Sequence, residues 1–199
     1  MQEGQIMNSG RKPHGAGRSS FEFVDIDRLF RYLSLAPSTV FLDLGCGKGN
    51  YTLAAARAIG PQGNVYGIDA WREGLDELEK RAASENLHNI TAIHANPNEH
   101  IPLEDMTVDI CFMATVLHDL LRESSGERAI AEIARILRPG GRLCIIEFKK
   151  IEDSPGPPLG IRLSPEETEK TIAPSGFVRE YVTDIGPYHY LLTASPSNR

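Results

Sequence analysis

Apolar and polar positions follow two periods along this chain. At Ile26, Leu29, Phe30 and Leu33 the apolar side chains recur at the spacing of a helix with one buried face, and Pro37 closes that helix. The next stretch, TVFLDLG, is a short continuous apolar run of the kind that fills a strand buried on both sides. From there strand and helix alternate. Tyr51 to Ile59 is an alanine-rich helix, GNVYGIDA a second strand, and Trp71, Leu75, Leu78 and Ala82 mark one face of the next helix. NITAIHAN and VDICFMATVL are further strands. A helix from Glu127 to Leu137 is stopped by RPGG, and GRLCIIEFKK is the fifth strand. Such repetition predicts an α/β domain with a parallel sheet covered on both faces.

The last quarter has a different pattern. EDSPGPPLGIRLS is a Pro/Gly loop, longer than most connections in α/β domains, which marks it as functional or mobile. Ser164, Pro165 and Glu167 fit a capping box with proline in the first turn, so a helix starts there and stops before Gly176. FVREYVTDI and YHYLLTAS then read as two strands close enough in sequence to pair antiparallel. At the other end, Met1 to Ser20 is rich in Gly, Ser and basic residues. It has too few apolar groups to offset its ordering entropy, so folded structure is expected from Phe21 to Arg199, with residues 1–20 as a flexible segment.

Composition narrows the function classes. With 199 residues and 41% hydrophobic content, the chain can bury one substantial core. A formal net charge of -6 disfavours nucleic acid and favours a small-molecule or protein substrate. Cys46, Cys111 and Cys144 are odd in number and lack C-x-x-C spacing, so they are expected to be reduced. His14, His94 and His100 show no ligand spacing, and no metal site is expected. No apolar run reaches the ~18–20 residues of a membrane span, and the N-terminus lacks the apolar centre of a signal peptide. These features point to a cytoplasmic protein.

The chemistry begins at FLDLGCGKGN. Gly45, Gly47 and Gly49 stand where a parallel strand turns into a helix, whose first amides have no intrahelical partners; bare backbone there lets a polar ligand approach closely. A dinucleotide fingerprint needs G-x-G-x-x-G, but counting from Gly45 puts Asn50 in the third glycine's place. Asp43 inside the motif is ill suited to a pyrophosphate and well suited to an ammonium or sulfonium. An NAD-dependent oxidoreductase is the weaker reading.

DLGCGKG followed by YGIDA, with Asp69 ending the second strand, resembles the class I S-adenosylmethionine (SAM)-dependent methyltransferases. Within them the chain is similar to the ubiquinone/menaquinone-biosynthesis-like group, in particular small prokaryotic members with an EFKK, GPP, SPEE and GF tail. The resemblance implies a Rossmann-like seven-stranded sheet in order 3-2-1-4-5-7-6 with the last strand antiparallel. It also implies SAM as cofactor and S-adenosylhomocysteine (SAH) as product. By the same resemblance, the backbone of Gly45, Cys46, Gly47 and Gly49 passes the methionine part of SAM, and Asp43 faces its amino group. Asp69 accepts from the ribose hydroxyls, and Ala70 and Trp71 flank the adenine. Asn96, beside Pro97, stands where the family usually has an aspartate accepting from the adenine amino group. Met113, Ala114 and Thr115 lie where cofactor and acceptor meet.

Other candidates come from the residues themselves. His118, followed by Asp119, is the candidate catalytic base. Glu147, Lys149 and Arg162, with Lys150, gather at the end of the fifth strand and in the Pro/Gly loop as candidate substrate contacts. The acceptor is expected to be a small molecule, and residues 1–20 are a candidate lid, through Arg11, Lys12, His14 and Arg18. A non-catalytic SAM-binding sensor is the remaining rival.

Overall fold

The computed structural model describes residues 17, 19–122 and 126–197. The strands are β1 (Val40–Leu44), β2 (Asn64–Asp69), β3 (Ile90–His94), β4 (Val108–Ala114), β5 (Leu137–Phe148), β6 (Phe177–Asp184) and β7 (His189–Pro196). They form one seven-stranded sheet in the order β3-β2-β1-β4-β5-β7-β6. The first five are mutually parallel, while β7 runs antiparallel to both β5 and β6. The helices are α1 (Ile26–Leu33), α2 (Asn50–Ile59), α3 (Arg72–Ser84), α4 (Leu117–Arg122), α5 (Gly126–Ile136) and α6 (Pro165–Ile172).

The period-two geometry of the strands divides the core. Leu42 and Leu44 of β1, Cys111 and Met113 of β4, and Leu143 and Ile145 of β5 face α5 and α6, packing on Ile130, Ile133 and Ile172. Their neighbours Phe41, Ile110, Phe112, Cys144 and Ile146 pack on the opposite side against Leu29 and Leu33 of α1 and Tyr51, Ala55 and Ile59 of α2. Alanines in α2 let it lie close to the sheet. A fully buried Leu or Ile contributes about 1.5–3 kcal/mol, so these two layers dominate stability. Asp43 shares the face of Phe41, which places its carboxyl under α2.

Four boundaries differ from the sequence expectation, each for a local reason. α1 ends at Leu33 because Ser34 adopts a left-handed conformation (φ 51°), three residues before Pro37. β4 ends at Ala114 instead of running on to Leu117. Thr115 turns out of the strand at φ 58° while its N–H still reaches the Ile146 carbonyl (2.8 Å), and Leu117 opens α4 as a fully buried residue. His118 and Asp119 therefore lie on a helix. RPGG does not separate α5 from β5 but belongs to the strand, across an irregularity between Val108 and Ile110 of its partner β4. Finally, α6 stops at Ile172 and a single 3-10 turn, Ala173–Ser175, carries the chain to Gly176.

The capping box at α6 is present as read. Ser164 Oγ accepts from Glu167 N, and the Glu167 carboxylate accepts from Ser164 N at 2.7 Å. Ser164→Ala should lower unfolding free energy by about 0.5–2 kcal/mol. Urea unfolding checks this as a lower midpoint at unchanged slope.

Candidate active site

At the C-terminal end of β1 the chain reverses through Gly45, Gly47 and Gly49, all with positive φ (77°, 55° and 73°). Two features hold this turn. The amides of Gly45 and Cys46 both donate to the Ile68 carbonyl of β2 (2.7 and 3.1 Å), and the amide of Gly47 donates to Asp69 Oδ2 (2.7 Å). Asp69 Oδ1 accepts from Trp71 N (2.8 Å). A Cβ at Gly49 would lie 2.3 Å from Leu78 Cδ1, so α3 packs on bare backbone there. At Gly47 nothing lies within 4 Å of that position, because it opens on a cavity. Burial raises the Asp69 pKa, against the pull of the amides of Gly47, Trp71 and Ala70.

Asp43 sits beneath the turn, 2% exposed, and accepts from Thr52 Oγ1 at 2.6 Å. Burial pushes its carboxyl up to about 7; the Thr52 bond opposes the shift and the nearby Asp69 charge adds to it. Asp43 lines a small recess of about 60 Å³ together with Cys46, Lys48, Ser20 and Tyr51, whose hydroxyl is 2.9 Å from Ser20 Oγ.

The recess adjoins a larger cavity of about 720 Å³, with which it shares Gly17, Ser19, Ser20, Gly45, Gly47 and Ala114. One end of the cavity is formed by Gly47, Asp69, Ala70, Asn96, Pro97 and Asn98. Asn96 Oδ1 accepts from Asn98 N (3.0 Å), leaving a second lone pair. At the other end stand His118, Asp119, Leu120, Arg122, Phe148 and the loop from Pro155 to Ile161. His118 Nδ1 lies 2.8 Å from Glu147 Oε2, and Glu147, fully buried, also accepts the His118 backbone amide (3.2 Å). Burial lowers the imidazole pKa, but the hydrogen bond and charge of Glu147, with Asp119, outweigh it and the net shift is upward.

Several expected contacts are elsewhere. Met113 is fully buried in the core on the α5 side, because alternation along β4 turns it away; Ala114 takes its place at the cavity. Trp71 is buried with the Lys48 amine 6.0 Å from its ring centre, and Ala70 alone of that pair lines the cavity. Cys46 faces only the small recess. Lys149 pairs with Asp184 (2.8 Å), and Lys150 with Glu167. Arg162 is 4% exposed and donates to the carbonyls of Lys149, Ile151, Ser154, Pro155 and Pro157, so it shapes the loop from inside. Glu147 reaches the cavity only through His118. Arg11, Lys12, His14 and Arg18 lie outside the described residues. Among the described residues, no three His, Cys, Asp or Glu side chains gather as a metal site. Thr52, Tyr51, Val116 and Phe148 were missed; a threonine amid the alanines of α2 was the one available signal.

The family profile described as methyltransferase domain matches residues 42–145, over half of the 199-residue chain, and so includes the Asp69 end of this cavity and His118 to Arg122 at the other. The chain belongs to the SAM-dependent methyltransferases. Demethylmenaquinone methyltransferase of Lactobacillus johnsonii is 32% identical over 120 residues, which is 60% of this chain and 48% of that protein. The Geobacillus sp. enzyme of the same description is 33% identical over 106 residues, 53% of this chain and 44% of its own. The chain thus matches about half the length of these curated relatives. A SAM-dependent methyltransferase from Aquifex aeolicus superposes with a TM-score of 0.81 at 29% identity, covering 88% of this chain and 91% of that one. The [4+2]-cyclase SpnF shares the fold alone, with a TM-score of 0.72 at 22% identity over 87% of this chain and 80% of its own.

The site of this methyltransferase fits SAM. Asp69 binds the amides of Gly47 and Trp71 and retains carboxylate lone pairs at the cavity that could accept from vicinal hydroxyls. Gly47 leaves the space a side chain would fill, and Asp43 offers a buried anion to an ammonium through the small recess. The cavity lies within the roughly 300–1,000 Å³ of small-molecule sites.

The raised Asp43 pKa has two opposite consequences. Folded Asp43 ionises near 7 and unfolded aspartate near 4, so the folded state holds a proton in between and stability falls as pH rises through that window. A cation beside Asp43 favours its charged form, so wild-type affinity for SAM should rise about tenfold per unit up to pH 7 and then level. Asp43→Asn should stabilise the protein at pH 8 by on the order of 1–3 kcal/mol and flatten the pH dependence of binding. Thermal melts and calorimetry at a series of pH values check both.

Proposed function

We propose that the protein transfers the methyl group of SAM to a small-molecule acceptor, and that residues 21–199 act as one methyltransferase domain with residues 1–20 as its cover. The observation that carries this reading is the continuity of the cavity: the residues suited to SAM and the His118 end share one space of about 720 Å³. When bound, SAM supplies an electrophilic methyl on a sulfonium and departs as SAH. The chain's own task is alignment and exclusion of water, so no side-chain nucleophile is needed.

In this reading Asp69 holds the ribose hydroxyls, Asp43 the ammonium, and Asn96 the adenine amino group, with Gly45, Cys46 and Gly49 shaping the turn. Pro97 and Ala70 flank the ring. Lys149 and Arg162 act on the substrate through the loop they brace. Gly17, Ser19 and Ser20 line the cavity, in support of the cover. The acidic chain argues against nucleic acid, and no helix among the described residues is long and apolar enough to cross a membrane. We place the protein in the cytoplasm.

Mass spectrometry of a cell extract incubated with the protein and methyl-labelled SAM tests the function directly. A labelled small molecule is expected; SAM bound without any transfer would leave a sensor. Asp69→Asn keeps a carbonyl for one amide but removes the charge, and should weaken SAM binding by about 1.5–3 kcal/mol in a folded protein. Equal calorimetric affinity would remove Asp69 from the site. Deleting residues 1–20 removes the Ser20–Tyr51 contact, and should speed SAM release and lower turnover without unfolding the domain. Stopped-flow release rates check this.

A further inference from the structure

A fully buried carboxylate is costly unless it is paired, and the partners of Glu147 both belong to one residue. Both carboxylate oxygens lie within 3.0 Å of His118 Nδ1, and Oε1 also takes the His118 amide. This arrangement commits Nδ1 and fixes the ring plane. The nitrogen left for a ligand is Nε2, on a side chain that lines the cavity and lies 3.7 Å from Asp119 Oδ2.

Beyond the Asp119–Arg122 pair beside that nitrogen, the walls are apolar. Phe23, Leu120, Phe148, Pro157 and Ile161 line the same end of the cavity. A Cβ at Gly156 (φ +119°) would fall 2.5 Å from the Phe148 ring, so the loop backbone lies flat on that ring. Behind Phe148 stands His189, 4.4 Å away between ring centres, fully buried and with no hydrogen-bond partner on either nitrogen. Burial first, then Lys149 and Arg162, hold His189 uncharged down to about 4, so it behaves as part of the apolar wall. The charged groups facing His118 are Glu147 from β5 and Asp119 and Arg122 from α4; the last two lie 3.7 Å from each other. No unopposed charge at this end of the described cavity selects an ionic acceptor.

We infer that this end takes an uncharged, flat, apolar acceptor bearing a weakly acidic hydroxyl, a phenol or an enol, whose proton is received by His118 Nε2 while Glu147 acts as the positioning residue. The inference rests on the methyltransferase reading above. In the step assigned to these residues the acceptor O–H bond breaks and its electron pair stays with the acceptor, which would form the new bond to the methyl carbon as the methyl–sulfur bond of SAM broke and left its pair on the sulfur of SAH. The proton moves to Nε2, and the Glu147 carboxylate offsets the imidazolium charge. A carboxylate behind the imidazole also fixes the tautomer, with the proton on Nδ1 and Nε2 free to accept.

The test uses the full chain saturated with SAH and three probes: 4-nitrophenol and the cyclic enol dimedone, each read at the pH where the free probe is about half ionised, and 4-nitroaniline as a flat control without a hydroxyl. Ultraviolet and visible difference spectra read the ionisation of the bound probe. In wild type the anion-to-neutral ratio of a hydroxyl probe should be about tenfold above that of the free probe at the same pH, a one-unit shift. Glu147→Gln and His118→Asn should each abolish that excess while SAH affinity stays within about twofold, because neither residue lies at the cofactor end. Excess ionisation of 4-nitrophenol alone assigns a phenol, of dimedone alone an enol, and of both the shared chemistry. If Glu147→Gln fails to fold by circular dichroism, His118→Asn carries the comparison.

The inference is overturned if bound hydroxyl probes keep their free ratio in wild type, if both variants retain the excess, or if only 4-nitroaniline binds. Failure of wild type to bind SAH at all would instead overturn the SAM assignment, and this inference with it.

Discussion

Asp69 accepts the Gly47 amide on one carboxylate oxygen and the Trp71 amide on the other, and this pair of bonds joins the turn after β1 to the start of α3. Without it, Gly47 would lose its side-chain anchor and the turn would rest on the Gly45 and Cys46 amides at the Ile68 carbonyl, since glycine adopts left-handed conformations without steric selection. The carboxylate is largely buried, so the amides also offset its desolvation. One side chain therefore sets the position of the turn backbone and itself lines the same cavity. Leu78 of α3 packs where Gly49 lacks a side chain, so helix packing and turn geometry support each other.

The two ends of the cavity are built by different means. At the Asp69 end the walls are largely backbone and short polar side chains at the C-terminal edges of adjacent parallel strands, as expected where helices begin beside a sheet. At the His118 end they are side chains brought from α4, β5 and the Pro/Gly loop. That loop has little regular structure, yet Arg162 gives it an internal frame by donating to five of its carbonyls while lying 5.6 Å from the Phe148 ring. Guanidinium geometry suits this role, since its donors fan out in one plane. The sheet edge thus builds the Asp69 end, and a loop framed from within builds much of the His118 end.

Electrostatics separates the buried carboxylates by their partners. Asp43 is pushed up to about 7 by burial, with the Thr52 hydroxyl bond opposing the shift. Glu147 is equally buried, yet it has an imidazole partner within the fold.

The strand and helix succession was legible in the sequence because β1, β4 and β5 are apolar on both faces and the helices carry one apolar stripe. The order of seven strands followed from the resemblance carried by Asp43 to Gly49 and Asp69. Gly47 and Asp69 could be placed at the cavity because motif and strand end are local features. Met113 could not, since its inclusion assumed a position near the strand end, whereas the direction of its side chain depends on the pleat of β4. The end of β4 was misread because Thr115 and Val116 are β-formers by propensity and Leu117 continues the apolar run; the left-handed Thr115 and the fit of Leu117 into the core decide otherwise. His118 and Glu147, 29 residues apart, were each noticed, but only the pairing of β4 with β5 brings them together. Arg162 was read as a ligand contact because it lies in the loop that follows the C-terminal end of β5, where open parallel sheets bind ligands. The carbonyls it binds exist as a cluster only once the loop has folded around it.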